Sequence, residues 1–119
     1  MNSQNNDSSS IKVSDEVIAV CAANATLRTR GVADVAGGIS DLLTKNFLGK
    51  ENASRGIKAS QNDDGITIDA NIIVDYGTRI PELAWEIQEN IRDEVEEMTG
   101  SKVLAVNINV QGVEIPSEE

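Results

Sequence analysis

"GITIDANIIVDYG", Gly65 to Gly77, is the stretch on which the fold turns. Ile66, Ile68, Ala70, Ile72, Val74 and Tyr76 alternate with Thr67, Asp69, Asn71, Ile73 and Asp75. Successive side chains of a strand point to opposite faces, so this spacing predicts a long strand with one buried face and Tyr76 on it. Just before it, "GIKASQ" is joined to the strand by "NDDG", whose residues tolerate the positive φ of a tight hairpin turn.

On the other side, "RIPELAWEIQENIRDEVEEMTG" predicts a helix that opens at Pro81 and closes at Gly100. Leu83, Ala84, Ile87, Ile91, Val95 and Met98 recur at three- and four-residue spacing and make one apolar stripe. Glu82, Glu86, Glu89, Asp93, Glu96 and Glu97 lie on the other side. A final strand over Val103–Val113 follows, with Leu104, Val106, Ile108 and Val110 expected to face the same core.

The first half is less regular. "IKVSDEVIAVCAANATLRTRG" predicts a short strand, a Ser14 N-cap and a helix stopped by Gly31, with Arg28 and Arg30 near the negative end of its dipole. That helix is apolar nearly all round and rich in alanine, which predicts close packing on more than one side. "GVADVAGG" predicts a short extended segment. "ISDLLTKNFLG" predicts a short helix, with Ile39, Leu42, Leu43 and Phe47 at helical spacing. The expected fold is α+β: a single compact domain, a mixed β-sheet with helices packed mainly on one face, in the order β-α-β-(α)-β-β-α-β. Residues 1–10 are expected to form a disordered tail, 11–115 the domain and 116–119 an acidic tail.

Charge is segregated. Of the 119 residues, the first sixty carry a net +1 and the rest −11, so the chain totals −10. An acidic surface with three aromatic residues argues against nucleic acid as a partner. The longest apolar run, Val17–Ala23, falls short of the roughly 20 residues needed to span a bilayer, so no direct membrane insertion is expected. The single cysteine, Cys21, fits a reducing, cytoplasmic location.

Catalytic signals are sparse. Without histidine, the usual triads, the commonest general base and most zinc sites are excluded. Cys21 sits among alanines and reads as a small buried hydrophobe. Asp63 and Asp64 lack the rest of a calcium loop and read as turn residues. Glu94 falls inside the apolar stripe of the second helix. It is a buried carboxylic acid, or it lies where the helix overhangs the sheet edge, or it pairs with Lys102. No catalytic, cofactor-binding or metal residue is expected, and no cofactor.

Two features read as contact surface instead. In the last strand, Asn107, Asn109 and Gln111 make a neutral amide face in a chain that is otherwise heavily charged. With Thr67, Asn71 and Ile73 they would occupy the sheet face away from the helices. Amides are buried against a partner at lower desolvation cost than charges, provided their hydrogen bonds are met. The face is covered by a partner, covered by the middle segment, or wet. The second feature is Trp85, about 160° around its helix from Ile87 and close to Arg92. It is either an interface anchor or a ring lying on the Arg92 stem or under a loop.

"IIVDYGTRIPELAWEIQENIRDEVEEMTGSKVLAVNINVQGV" resembles the signature of the alkaline shock protein family, the Gls-type envelope stress response proteins of Gram-positive bacteria. The shared elements are Val74, Tyr76–Gly77, Ile80–Pro81, Ala84, Gln88 to Ile91, Met98 to Gly100 and Val106 to Val113. "RGVADVAGG" is similar to a further family segment, so the likeness spans about residues 11–115. The resemblance implies a small acidic cytoplasmic protein without catalytic residues, engaged in envelope and alkaline stress, some members of which self-assemble or are held at the membrane by an anchor protein. Trp85 stands where related sequences usually carry a polar or charged residue. The resulting expectation is a non-enzymatic structural or adaptor protein that associates with copies of itself and docks to a membrane-anchored partner at the inner face of the cell membrane. The alternative is a regulatory binding module for a cytoplasmic metabolic enzyme.

Overall fold

The computed structural model describes residues 11–36 and 56–116. The expected tail over residues 1–10 and the helix expected around Ile39–Phe47 lie outside them, as does most of the expected C-terminal tail. The described elements run α1 (Asp15–Leu27), β1 (Val32–Val35), β2 (Ile57–Asn62), β3 (Gly65–Asp75), α2 (Ile80–Thr99) and β4 (Val103–Glu114). This is the expected α+β architecture, with a mixed four-stranded sheet.

β3 is the organiser. One of its edges pairs antiparallel with β2 through residues 65–70 and with β1 through residues 72–74, so the two short strands stand end to end. Its other edge pairs in parallel with β4 along nearly its whole length. A hairpin needs only the Asp63–Asp64 turn, where the Asn62 side-chain oxygen accepts from the N–H groups of Asp64 (2.8 Å) and Gly65 (3.1 Å). A parallel neighbour needs a crossover instead, and α2 supplies it.

The alternation in β3 is realised from Ile66 to Val74. Ile66, Ile68, Ala70, Ile72 and Val74 are buried, whereas Thr67, Asp69, Asn71 and Ile73 on the opposite face are half-buried. Both helices cover the buried face: Leu83, Ile87, Ile91 and Val95 come from α2, and Ile18, Ala19, Ala22, Ala23 and Ala25 from α1. The alanines leave α1 without bulk, so it lies close against both the sheet and α2. Thr26 and Thr29 are also buried, and each Oγ donates to the carbonyl four residues earlier, at 2.8 and 2.9 Å. Both buried hydroxyls are thereby satisfied by carbonyls of α1.

Several local expectations are corrected. Ile11–Val13 forms no strand; the Val13 carbonyl accepts from Gln61 Nε2 at 2.9 Å. α1 ends at Leu27 with Arg28 as C-cap, and Gly31 takes a positive φ of 107° in the turn that follows. Tyr76 lies beyond the end of β3 and is 68% exposed. In β4 the core position belongs to Val103, because an irregularity opposite Ile66/Thr67 turns Leu104 outward. Met98 and Val110, expected in the core, are exposed, since the helices do not cover those ends of the stripe and strand.

α2 begins with Pro81 in its first turn and ends where Gly100 adopts φ 76°, its N–H donating to Glu96 O at 2.8 Å. Replacing Gly100 by Ala should cost about 1–2 kcal/mol, because Cβ is strained in that conformation. Ile91→Ala, which empties a fully buried site, should cost about 2–5 kcal/mol. Urea unfolding followed by circular dichroism measures both.

Candidate functional site

The residues singled out in the sequence fall on two opposite sides of the sheet. Asn71, Asn107 and Asn109 share the face away from the helices, since Asp69 stands opposite Asn107 and Asn71 opposite Asn109. Ile73 lies beside them, half-buried, and Thr67 further along. Asn107 Nδ2 donates to Asp69 Oδ1 at 2.8 Å, while Asn109 and Gln111 are exposed. Gln111 falls in an irregularity between Val110 and Gly112 and has no direct opposite number on β3.

Trp85 and Arg92 are on α2, over the other face. Trp85 is 62% exposed, and Arg92 Nη1 contacts Glu89 Oε2 at 3.3 Å, one helical turn back. The guanidinium is thus engaged along the helix surface, and the indole presents an open apolar plate.

Three polar contacts escaped the sequence reading. Gln88 Nε2 donates to the Val106 carbonyl at 3.1 Å, Glu96 Oε2 accepts from the Val103 N–H at 2.9 Å, and Asn90 Nδ2 donates to Thr29 Oγ1 at 2.9 Å. The first two tie α2 to β4, the third ties it to α1. Their signal in the sequence is position: each polar residue flanks the apolar stripe, on a shoulder where it reaches a neighbour.

A cleft between α1 and α2 is lined by Cys21, Arg28, Asn90, Glu94 and Met98 among others. Glu94 is neither a buried acid nor the mate of Lys102. It pairs with Arg28, and both side chains are substantially exposed. Cys21 is only half-buried, packed against the edge of the core. Burial pushes its thiol above the ordinary value, with Arg28 pulling weakly the other way. At neutral pH it is the protonated thiol, a poor nucleophile. Among the described residues no three His, Cys, Asp or Glu side chains gather as a metal site, and no helix is long and apolar enough to cross a membrane.

The fold and these surfaces define a small α+β domain whose uncommitted polar and aromatic groups lie on exposed faces. The chain belongs to the alkaline shock protein 23 family, described as having a cell envelope-related function, whose model matches residues 3–115. Among its relatives, protein YloU of Bacillus subtilis (strain 168) is 42% identical over 88% of each chain. YqhY of the same organism is 35% identical over 91% of this chain and 79% of its own. Stress response regulator gls24 homologs of Streptococcus pyogenes are 26% identical over 88% of this chain and 58% of theirs. These findings give the chain a stress- and envelope-related role. Among solved structures, a variant of the MamM CTD superposes with a TM-score of 0.50 at 18% identity, over 83% of this chain and 95% of that one. A cadmium form of another variant reaches 0.51 at 17%, over 85% and 100%. This likeness is one of fold.

Glu94→Gln should change stability by less than about 1 kcal/mol, as an exposed ion pair contributes little. Alkylation of Cys21 by iodoacetamide at pH 8 should run slower than that of free cysteine and accelerate as pH rises. Arg28→Gln should slow it further by removing the charge that favours the thiolate. A rate equal to that of free cysteine in the folded protein would contradict the burial argument.

Proposed function

We propose that this chain is a non-enzymatic structural or adaptor protein of the bacterial cell-envelope stress response, working in the cytoplasm by associating with itself and by docking to a membrane-anchored partner. The observation that supports this reading is the set of exposed, uncharged side chains that an otherwise acidic protein carries beside Asp69 on its open sheet face and, separately, on α2. Asn107, Asn109 and Gln111 stand exposed on β4, and Trp85 on α2. An interface between like copies accumulates repulsion if it is charged, and a neutral patch avoids that while the acidity elsewhere keeps the protein dispersed. Membership in an envelope-related family and the gls24-type relatives support the physiological setting. Docking at the inner face of the membrane would use surface that self-association leaves free.

The test is affinity capture of the chain from native lysate of a Gram-positive cell, with membrane and soluble fractions kept apart. Recovery of a protein with a transmembrane segment, lost on detergent-free removal of membranes, is expected. Reproducible capture of a soluble metabolic enzyme instead would favour a regulatory binding module and overturn the docking arm.

A further inference from the structure

We infer that the outer edge of β4 pairs antiparallel with the same edge of a second copy, about a two-fold axis through Ile108, and that Trp85 closes the interface beside it. The inference rests on the self-association reading above and gives it a location and a register.

The backbone sets which groups face outward. On β3, Asn71 donates to Gly56 O and accepts from Ala36 N, and Asp75 donates to Gly31 O, so the odd-numbered peptide groups serve the β1–β2 side. The even-numbered ones face β4, as Ile66 N to Lys102 O and Tyr76 N to Glu114 O show. In a parallel pair, a residue directly opposite an inward-bonding one turns its own N–H and C=O away. Val106, Ile108 and Val110 stand opposite Ile68, Ala70 and Ile72, so their peptide groups point out from the sheet. The Val106 carbonyl bears this out, since the side chain that reaches it comes from α2 and not from β3. Glu96 takes the Val103 N–H in the same way. No described residue takes the outward groups of Ile108 and Val110.

Exposed edges of this length are ordinarily blunted by Lys, other charges or Pro. From Val103 to Val113 the sequence has none of these. Gln88 and Glu96 guard only its beginning. An edge left this plain is suited to receive a strand.

The occupant is a second copy because the edge matches itself end for end. With the axis at Ile108, Ile108 meets its own counterpart, and Val106 meets Val110, all residues with outward peptide groups. On the helix side this sets branched apolar side chains against each other. On the open side it sets Asn107 against Asn109, two neutral amides able to bond across the seam. Beyond them Lys102 comes opposite Glu114 at both ends, a complementary pair flanking the Asp69 carboxylate that Asn107 holds by a hydrogen bond. The two irregularities in β4, next to Val103 and to Gly112, fall on either side of the axis at similar distance.

Trp85 is placed by the same geometry. α2 runs antiparallel to β4, and Gln88 fixes it at the level of Val106. Three residues back along the helix is about 4.5 Å, a little over one strand residue, which sets Trp85 level with Asn107–Ile108. It lies about 60° beyond Gln88 around the helix and about 160° from buried Ile87, on the outer side of α2 that leans toward the open edge. Two copies joined at β4 bring the two indoles above the seam on neighbouring α2 helices.

Sedimentation velocity of the whole chain from about 1 to 100 µM, with Trp85 emission recorded alongside, tests the inference. A dimer is expected, with Trp85 emission moving to the blue as it forms. Val110→Pro removes an outward N–H and leaves the β3 ladder intact, since Pro is accepted where the N–H faces solvent. It should weaken the dimer about tenfold or more while the far-ultraviolet circular dichroism stays unchanged. Lys102→Glu should also weaken it, and Lys102→Glu combined with Glu114→Lys should restore it. A monomer at every concentration would overturn both this inference and the self-association reading. A dimer indifferent to Val110→Pro and to both charge changes would overturn the β4 register alone and leave self-association standing.

Discussion

The buried face of β3 is the constraint from which the rest of the structure follows. Ile66, Ile68, Ala70, Ile72 and Val74 are each almost wholly withdrawn from water, at roughly 1.5–3 kcal/mol for each large aliphatic side chain. A strand buried on one face must be roofed, and β3 is roofed by both helices. It must also have its peptide groups bonded on both edges, and no single short strand is long enough for the β1–β2 side. Hence β1 and β2 share that edge end to end, and a full-length parallel partner takes the other. The parallel partner requires α2 as its crossover, so the helix and the last strand come as a unit. Glu96 and Gln88 fasten that unit at the start of β4.

This arrangement leaves the surfaces unequal. The acidic residues of α2 point away from its stripe, where water screens them, and Glu82, Glu86, Asp93 and Glu97 are exposed. β4 faces a different problem. It is the last strand, helices cover only its beginning, and Val113 remains 50% exposed on the helix side. Its other face carries amides. Past Val106 the strand has neither the burial of a core nor the charges of a protected edge, and the proposed self-association rests on that stretch.

The cleft between the helices holds groups that first suggested chemistry, and its geometry turns them to structure. Arg28 and Glu94 join the end of α1 to α2, and Asn90 donates to Thr29, just past α1, whose hydroxyl already donates to the Ala25 carbonyl. A thiol held protonated by partial burial stands beside them. Each group already has a partner or an environment that quiets it.

The sequence by itself determined the elements that rest on period and punctuation. Two-residue alternation marked β3, the spacing of Leu83, Ile87, Ile91 and Val95 marked α2, "NDDG" marked the hairpin, and Gly100 marked the helix end. These are local signals, because the backbone geometry of strand, helix and turn fixes which side chains share a face. The amide face and the oddity of Trp85 were also legible, as residues out of keeping with their surroundings. What only the tertiary structure decided depends on where neighbours stop. Tyr76, Met98 and Val110 continue an apolar pattern yet lie exposed, since no helix reaches over them. Leu104 gave its place to Val103 through one extra residue in the ladder, which shifts the side-chain phase without changing composition. Arg28 rather than Lys102 found Glu94, and Gln88 found the Val106 carbonyl. Partners distant in sequence are chosen by the packing of whole elements, and periodicity within one element carries no record of that choice.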